Sequence, residues 1–156
     1  YKEYQVMAVS DNGTESFLSA PYVYYGFDNE VIINTAGEKG LKLERQKPET
    51  YEFTTDISSE GTYALDILYS NGSGPINTEN KACLRSLYLN GKFADAVIMP
   101  QLGKDDWNTR GYSNSVKVNL QRGKNTFAVK FDSFSENMNS EINDAVIYEI
   151  RLRRLK

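Results

Sequence analysis

Alternation of apolar and polar residues with a period of two, broken at short intervals by turn signals, constrains this chain more than any other feature. In the run 62–69, Tyr63, Leu65, Ile67 and Tyr69 share one face, with Ala64, Asp66 and Leu68 on the other. Phe127, Val129 and Phe131 alternate with Ala128, Lys130 and Asp132, and Val116, Val118 and Leu120 alternate with Lys117 and Asn119. Val146, Tyr148, Ile150 and Leu152 repeat the pattern near the end. Asp11-Asn12-Gly13, Glu60-Gly61, Asn71-Gly72, Asn90-Gly91 and Arg122-Gly123-Lys124 punctuate these runs as turns. No segment carries an apolar stripe at helical spacing over three turns. Successive strand residues face opposite ways, so such runs need a sheet with one buried face. Many short strands with such punctuation predict an all-β fold, an antiparallel β-sandwich or jelly roll.

Composition prunes the chemistry. The 156 residues suit one domain of ordinary size with a fragment of a second, and a 40% hydrophobic content is enough for a real core. A net charge of -3 gives no basic face for nucleic acid, and no apolar run reaches the roughly 18 residues of a membrane span. The absence of histidine removes Ser-His-Asp and Cys-His catalysis and the commonest transition-metal ligand. Cys83 is the only cysteine, so neither an internal disulfide nor a thiolate zinc cluster forms. At the head of an alternating segment, it reads as a small buried hydrophobe. The chain opens on Tyr1 rather than Met and reads as a piece of a longer protein.

Residues 1–21 read as two strands around the turn at Asp11-Asn12-Gly13. Tyr4, Val6, Ala8 and Val9, followed by Glu15, Ser16, Ser19 and Pro21, resemble the last hairpin of a fibronectin type III domain. A lone hairpin is not stable by itself and must dock on something. Residues 1–25 are therefore expected to be a hairpin or linker remnant of that type, or else two further strands of the main sheet. Residues 26–156 form the β-sandwich domain.

In that domain the order of features resembles carbohydrate-binding modules of families 6 and 35, the galactose-binding-like jelly rolls. The residues that carry the likeness are EGTYALDILYSNG at 60–72, RSLYLNGK at 85–92, VIMPQLGKDDW at 97–107, SNSVKVNLQRGKNTFAVKF at 113–131 and INDAVIYEIRLRRL at 142–155. The segment from Ser70 to Gly91 is similar to C-terminal appendages of large bacterial glycoside hydrolases. The likeness implies a secreted, cell-surface or periplasmic bacterial setting, an oligo- or polysaccharide partner and a neighbouring catalytic domain. It also implies a structural calcium held in part by an Asp of the closing strand. Tyr148 stands at that position, and Asp144, four residues earlier, replaces it only with a shifted geometry. Binding itself calls for no cofactor.

Sugar recognition needs an apolar plate and a few fixed polar groups, most readily supplied by loops on a rigid scaffold. Trp107, the only tryptophan, lies in the polar run GKDDWNTRGYSN and is the candidate plate, with Tyr112 or Tyr69 as a second wall. The opposing reading seats the indole over one end of the core with its N–H on a loop carbonyl. Arg110 stands where the family often has a second aromatic. The family's hydroxyl-binding Asn matches Asn143 first and Asn139 second, although such amides also cap turns. The long polar loop after Tyr69 adds Asn77, Glu79 and Asn80, with Asn71 and Lys81, either as a cleft wall or as an ordered cross-connection. Asp105-Asp106 is not the carboxylate pair of a glycosidase, which needs about 5–9 Å between opposed groups. The expected function is thus a non-catalytic carbohydrate-binding accessory module. The alternative is an interdomain brace without a sugar site.

Overall fold

The computed structural model describes residues 2–4, 11, 22–24, 27–47, 49–76 and 78–156. Most of the hairpin expected over residues 1–21 lies outside the described residues, as does Asn77. The strands are β1 (Lys2–Tyr4), β2 (Tyr22–Tyr24), β3 (Phe27–Asn34), β4 (Leu41–Leu43), β5 (Thr50–Ile57), β6 (Gly61–Ser70) and β7 (Ser73–Gly74). They continue with β8 (Cys83–Leu89), β9 (Lys92–Met99), β10 (Gly103–Lys104), β11 (Gly111–Tyr112), β12 (Val116–Leu120), β13 (Gly123–Lys130) and β14 (Ala145–Leu155).

Two antiparallel sheets face each other. In the first, β6 and β14 are central, with β11 and β12 on the outer side of β6 and β3 and β4 on the outer side of β14. The second runs β5-β13-β8-β9. β7–β10 and β1–β2 each pair as a separate two-stranded sheet. The inner faces supply the core: Tyr63, Leu65, Ile67 and Tyr69 from β6, Val116, Val118 and Leu120 from β12, and Phe127 and Val129 from β13. Alternation therefore placed these side chains correctly, and burying them from water is the main drive to sandwich formation. The free edge of β9 is closed by Asn114, which accepts from the Ile98 N–H at 2.7 Å and donates to the Ala96 carbonyl at 3.0 Å. Such coverage blunts pairing with another chain.

β14 departs from the simple pattern. Its register against β6 shifts between Ile147 and Glu149, the mark of a β-bulge. Ala145 and Ile147 enter the core before the bulge, and Ile150 and Leu152 after it. Val146 and Tyr148, expected on the same face as Ile150, stand on the other side. One extra residue reverses the phase of a period-two pattern, and nothing in the alternation itself reveals it.

Strand directions gather the long connections at one end of the sandwich. β3, β6, β9 and β13 all run towards that end, so it carries residues 35–49, 71–82, 100–110 and 131–144. Among the described residues, the connections at the opposite end are tight turns, at residues 58–60, 90–91 and 121–122.

Candidate functional site

Three of the four connections at the loop end, 71–82, 100–110 and 131–144, are cross-braced by amide side chains, which carry donor and acceptor together and so satisfy backbone that has no ladder partner. Asn71 is fully buried, donating to the carbonyls of Met99 (3.1 Å) and Lys81 (3.2 Å) and accepting from Ser73 N–H (3.0 Å). Gln101, also buried, donates from Nε2 to the carbonyls of Pro75 and Thr78, each at 2.9 Å. Leu102 N–H bonds to Asn71 O and Asp105 N–H to Gly72 O, both at 2.9 Å, which continues the β7–β10 pairing. Asn137 Nδ2 reaches the carbonyls of Ala82 and Ile142, each at 2.8 Å.

Onto this frame the segment from Gly103 to Tyr112 places the exposed candidates. Asp106 shapes it as an Asx turn, its Oδ1 accepting from the N–H groups of Asn108 and Thr109 at 3.0 Å and its Oδ2 from the Thr109 hydroxyl. The Thr109 hydroxyl first, then these two N–H groups, hold the Asp106 carboxyl below the usual range. Its oxygens are thus occupied in building the loop. Trp107 follows, 36% exposed, with its indole seated on the backbone of Gly72. Indole Nε1 donates no hydrogen bond to a described residue.

Arg110 and Tyr112 point to the outer face of the first sheet. The Arg110 guanidinium lies 3.8 Å above the Tyr148 ring and makes no ion pair among the described residues. Tyr112, 44% exposed, rests on the guanidinium of Arg151 at 3.6 Å. Arg151 is held in turn by both oxygens of the buried Asp66, at 2.8 and 2.9 Å, and Arg153 shares one of them. A planar guanidinium gripped in two places is a stiff support for the ring above it.

The remaining candidates do other work. Tyr69 is 1% exposed and donates its hydroxyl to Pro100 O at 2.9 Å, so it is a core residue and not a second wall. Asn143 is wholly buried: Oδ1 accepts from Leu84 N–H and Arg85 Nη1, each at 2.8 Å, and Nδ2 donates to Ser135 O at 2.7 Å. No side-chain atom of it faces solvent, because the closing loop needs both halves of the amide. Asn139 donates to Glu79 O at 2.8 Å and accepts from the N–H groups of Glu141 and Ile142, tying two loops together. Glu79 and Asn80 are exposed and both have positive φ, 55° and 53°, as a tight reversal requires. The Glu79 carboxylate pairs with Lys81, which holds its pKa down. Sequence reasoning missed Gly72 and Gln101, since neither letter says what it touches.

It also missed a separate aromatic group on the outer face of the second sheet. Phe93, 48% exposed, and Phe134, 64% exposed, have ring centroids 5.2 Å apart, with Tyr88 edge-on to Phe93 at 5.8 Å.

No family model matches the sequence, and a search of curated proteins finds no relative. Among solved structures, the fold is similar to a family 35 carbohydrate-binding module from Clostridium thermocellum, with a TM-score of 0.53 and 18% identity over 80% of this chain and 98% of that one. A family 36 module of a multidomain xylanase from the hindgut metagenome of Trinervitermes trinervoides gives 0.51 and 12%, over 80% and 96% of the two chains. The cycloalternan-forming enzyme from Listeria monocytogenes, solved with a pentasaccharide substrate, gives 0.54 and 18%, over 84% of this chain but only 11% of that one. These likenesses establish an antiparallel sandwich of jelly-roll type, the architecture of such modules.

The calcium implied by that architecture does not fit the residues present. Tyr148 shares a hydrogen bond with Ser70 Oγ at 3.1 Å, and the cation above its ring is already the Arg110 guanidinium. Asp144 Oδ1 accepts from Arg45 N–H at 2.8 Å. Among the described residues, no three His, Cys, Asp or Glu side chains converge as a metal site. A hard divalent ion needs six or more oxygens.

Proposed function

We propose that residues 26–156 are a non-catalytic carbohydrate-binding module, and that its glycan lies against Trp107 at the loop end. The observation that carries this reading is a partly exposed indole, its N–H without an acceptor among the described residues, seated on a loop end braced by buried amides. The C–H face of a pyranose packs on the exposed face of the ring, while hydroxyls accept from indole Nε1 and from the Arg110 guanidinium. Tyr112 offers a further aromatic surface on the adjoining sheet face. Preorganised groups lose little entropy on binding, yet so shallow a platform gives weak single-site affinity. Tethering to a catalytic domain raises it by effective concentration. The natural setting is an accessory part of a secreted bacterial glycoside hydrolase, with residues 1–25 a fibronectin type III-like remnant of the preceding domain.

A second reading, an interdomain brace, is favoured by the Phe93–Phe134 group, since exposed clustered aromatics often mark a contact surface. Titration against a panel of soluble plant and bacterial polysaccharides separates the two. Binding that is lost in Trp107→Ala, with the unfolding midpoint kept, supports the carbohydrate module. No binding across the panel, or binding unaffected by Trp107→Ala, sinks it.

A further inference from the structure

Gly72 is a glycine for reasons of space. Its φ lies outside the left-handed region, unlike Gly61, Gly74 and Gly123, so backbone conformation admits an alanine here. A Cβ at this position, however, would lie 2.7 Å from both Cδ1 and Nε1 of Trp107 and 2.9 Å from Cε2. Ordinary carbon contacts begin near 3.5 Å. All three nearest atoms belong to the pyrrole half of one indole, so the conflict is with Trp107 before anything else.

The floor beneath the ring does not yield. Gly72 O accepts from Asp105 N–H, the preceding residue is the buried Asn71, and the next two pair with Lys104 and Gly103. Trp107, by contrast, sits on an exposed loop. An added methyl group therefore moves the indole and leaves the frame in place.

We infer that Gly72 is the positioning residue of the Trp107 plate, and that it makes the plate one-sided. With one face of the indole against the backbone of Gly72, ligand approaches only the other. Tyr69 is in the core and Tyr112 is stacked on Arg151, so neither closes over the ring from above. A one-sided plate suits a pyranose that offers one unsubstituted C–H face, at a chain end or along an exposed polysaccharide surface. This inference rests on the carbohydrate-binding reading for its ligand, but the seating of the indole is tested without one.

Trp107 is the only tryptophan, so fluorescence excited at the red edge, beyond the absorption of the eleven tyrosines, reports this ring alone. In Gly72→Ala the emission maximum shifts to the red and acrylamide quenching increases, while the urea midpoint stays near that of the parent. Wild-type emission and quenching in Gly72→Ala would overturn the inference, whatever any glycan does. Affinity electrophoresis in dextran and in soluble xylan, with Trp107→Phe and the double variant, then tests the consequence for ligand. Where the parent is retarded, Gly72→Ala binds about tenfold more weakly, the order of one lost stacking contact. In the Trp107→Phe background the same change has no further effect, because the pyrrole ring it displaces is gone. Equal retardation of Gly72→Ala and parent overturns the positioning role even if the spectra shift. If the spectra shift and neither polysaccharide retards the parent, the seat of the ring stands and the carbohydrate reading is what fails for these glycans.

Discussion

Replacing Asn143 by alanine separates a strut from a ligand contact. The substitution removes three side-chain hydrogen bonds in a site with no exposed surface: from Leu84 N–H at 2.8 Å, from Arg85 Nη1 at 2.8 Å and to Ser135 O at 2.7 Å. Leu84 N–H and Ser135 O each lose a partner, at about 1–3 kcal/mol apiece when water does not replace it. Arg85 is cushioned, since Nη1 still donates to Leu84 O and Nη2 to the main-chain carbonyl of residue 143. The total is then about 2–6 kcal/mol, set mainly by the two stranded backbone groups. For a chain of this length that lowers the melting temperature by roughly 10 °C. Urea titration gives the free energy and calorimetry the midpoint, with Asn139→Ala as the control at a half-buried brace. A loss below about 1 kcal/mol would refute the reasoning, since a fully buried amide with three partners cannot be removed so lightly. Loss of glycan binding without loss of stability would put Asn143 in contact with ligand instead.

Two further outcomes follow from burial and from charge. Burial pushes the Cys83 thiol up to about 12, so an alkylating reagent at pH 8 should leave native protein unmodified and label it only in denaturant; rapid native labelling would contradict a sealed core. For Asp132, burial acts to raise the pKa, but hydrogen bonds from Ser86, Tyr88, Phe134 N–H and Ser135 outweigh it and hold the carboxyl below its usual value. The folded pKa is thus under the unfolded one, so the stabilisation is present above about pH 4 and is lost as pH falls through the folded value. The urea-midpoint gap between parent and Asp132→Asn should therefore narrow from pH 7 to pH 3, and a constant gap would exclude this ionisation as its source.

The sheets were legible because their information is local. Tyr63, Leu65, Ile67 and Tyr69 declare one buried face by spacing alone, and the same holds for Val116, Val118 and Leu120. β14 shows where that stops: its bulge lies between Ile147 and Glu149, and a pattern read without pairing partners assigns Val146 and Tyr148 to the wrong side. The loop end is harder still, since its contacts join distant residues. Asn143 meets Arg85 across 58 positions, and Asn139 meets Glu79 across 60.

A deeper ambiguity is chemical. The amides and guanidinium groups that suit a sugar hydroxyl are the same ones that suit an unpaired loop carbonyl or N–H. Asn71, Gln101, Asn139 and Asn143 all went to the second use, because a jelly roll that collects four long connections at one end must satisfy that backbone before it can present anything to a ligand. Burial and the partners already engaged divide the two uses, and both are properties of the assembled end. Applied here, burial takes the side chains of Tyr69 and Asn143 out of a ligand's reach, and leaves Trp107, Arg110 and Tyr112 exposed on one short segment, with Glu79 and Asn80 exposed on the loop before β8. That segment owes its shape to Asp106 and its footing to Gly72, so a one-carbon change thirty-five positions before Trp107 should tell more about the site than most changes beside it.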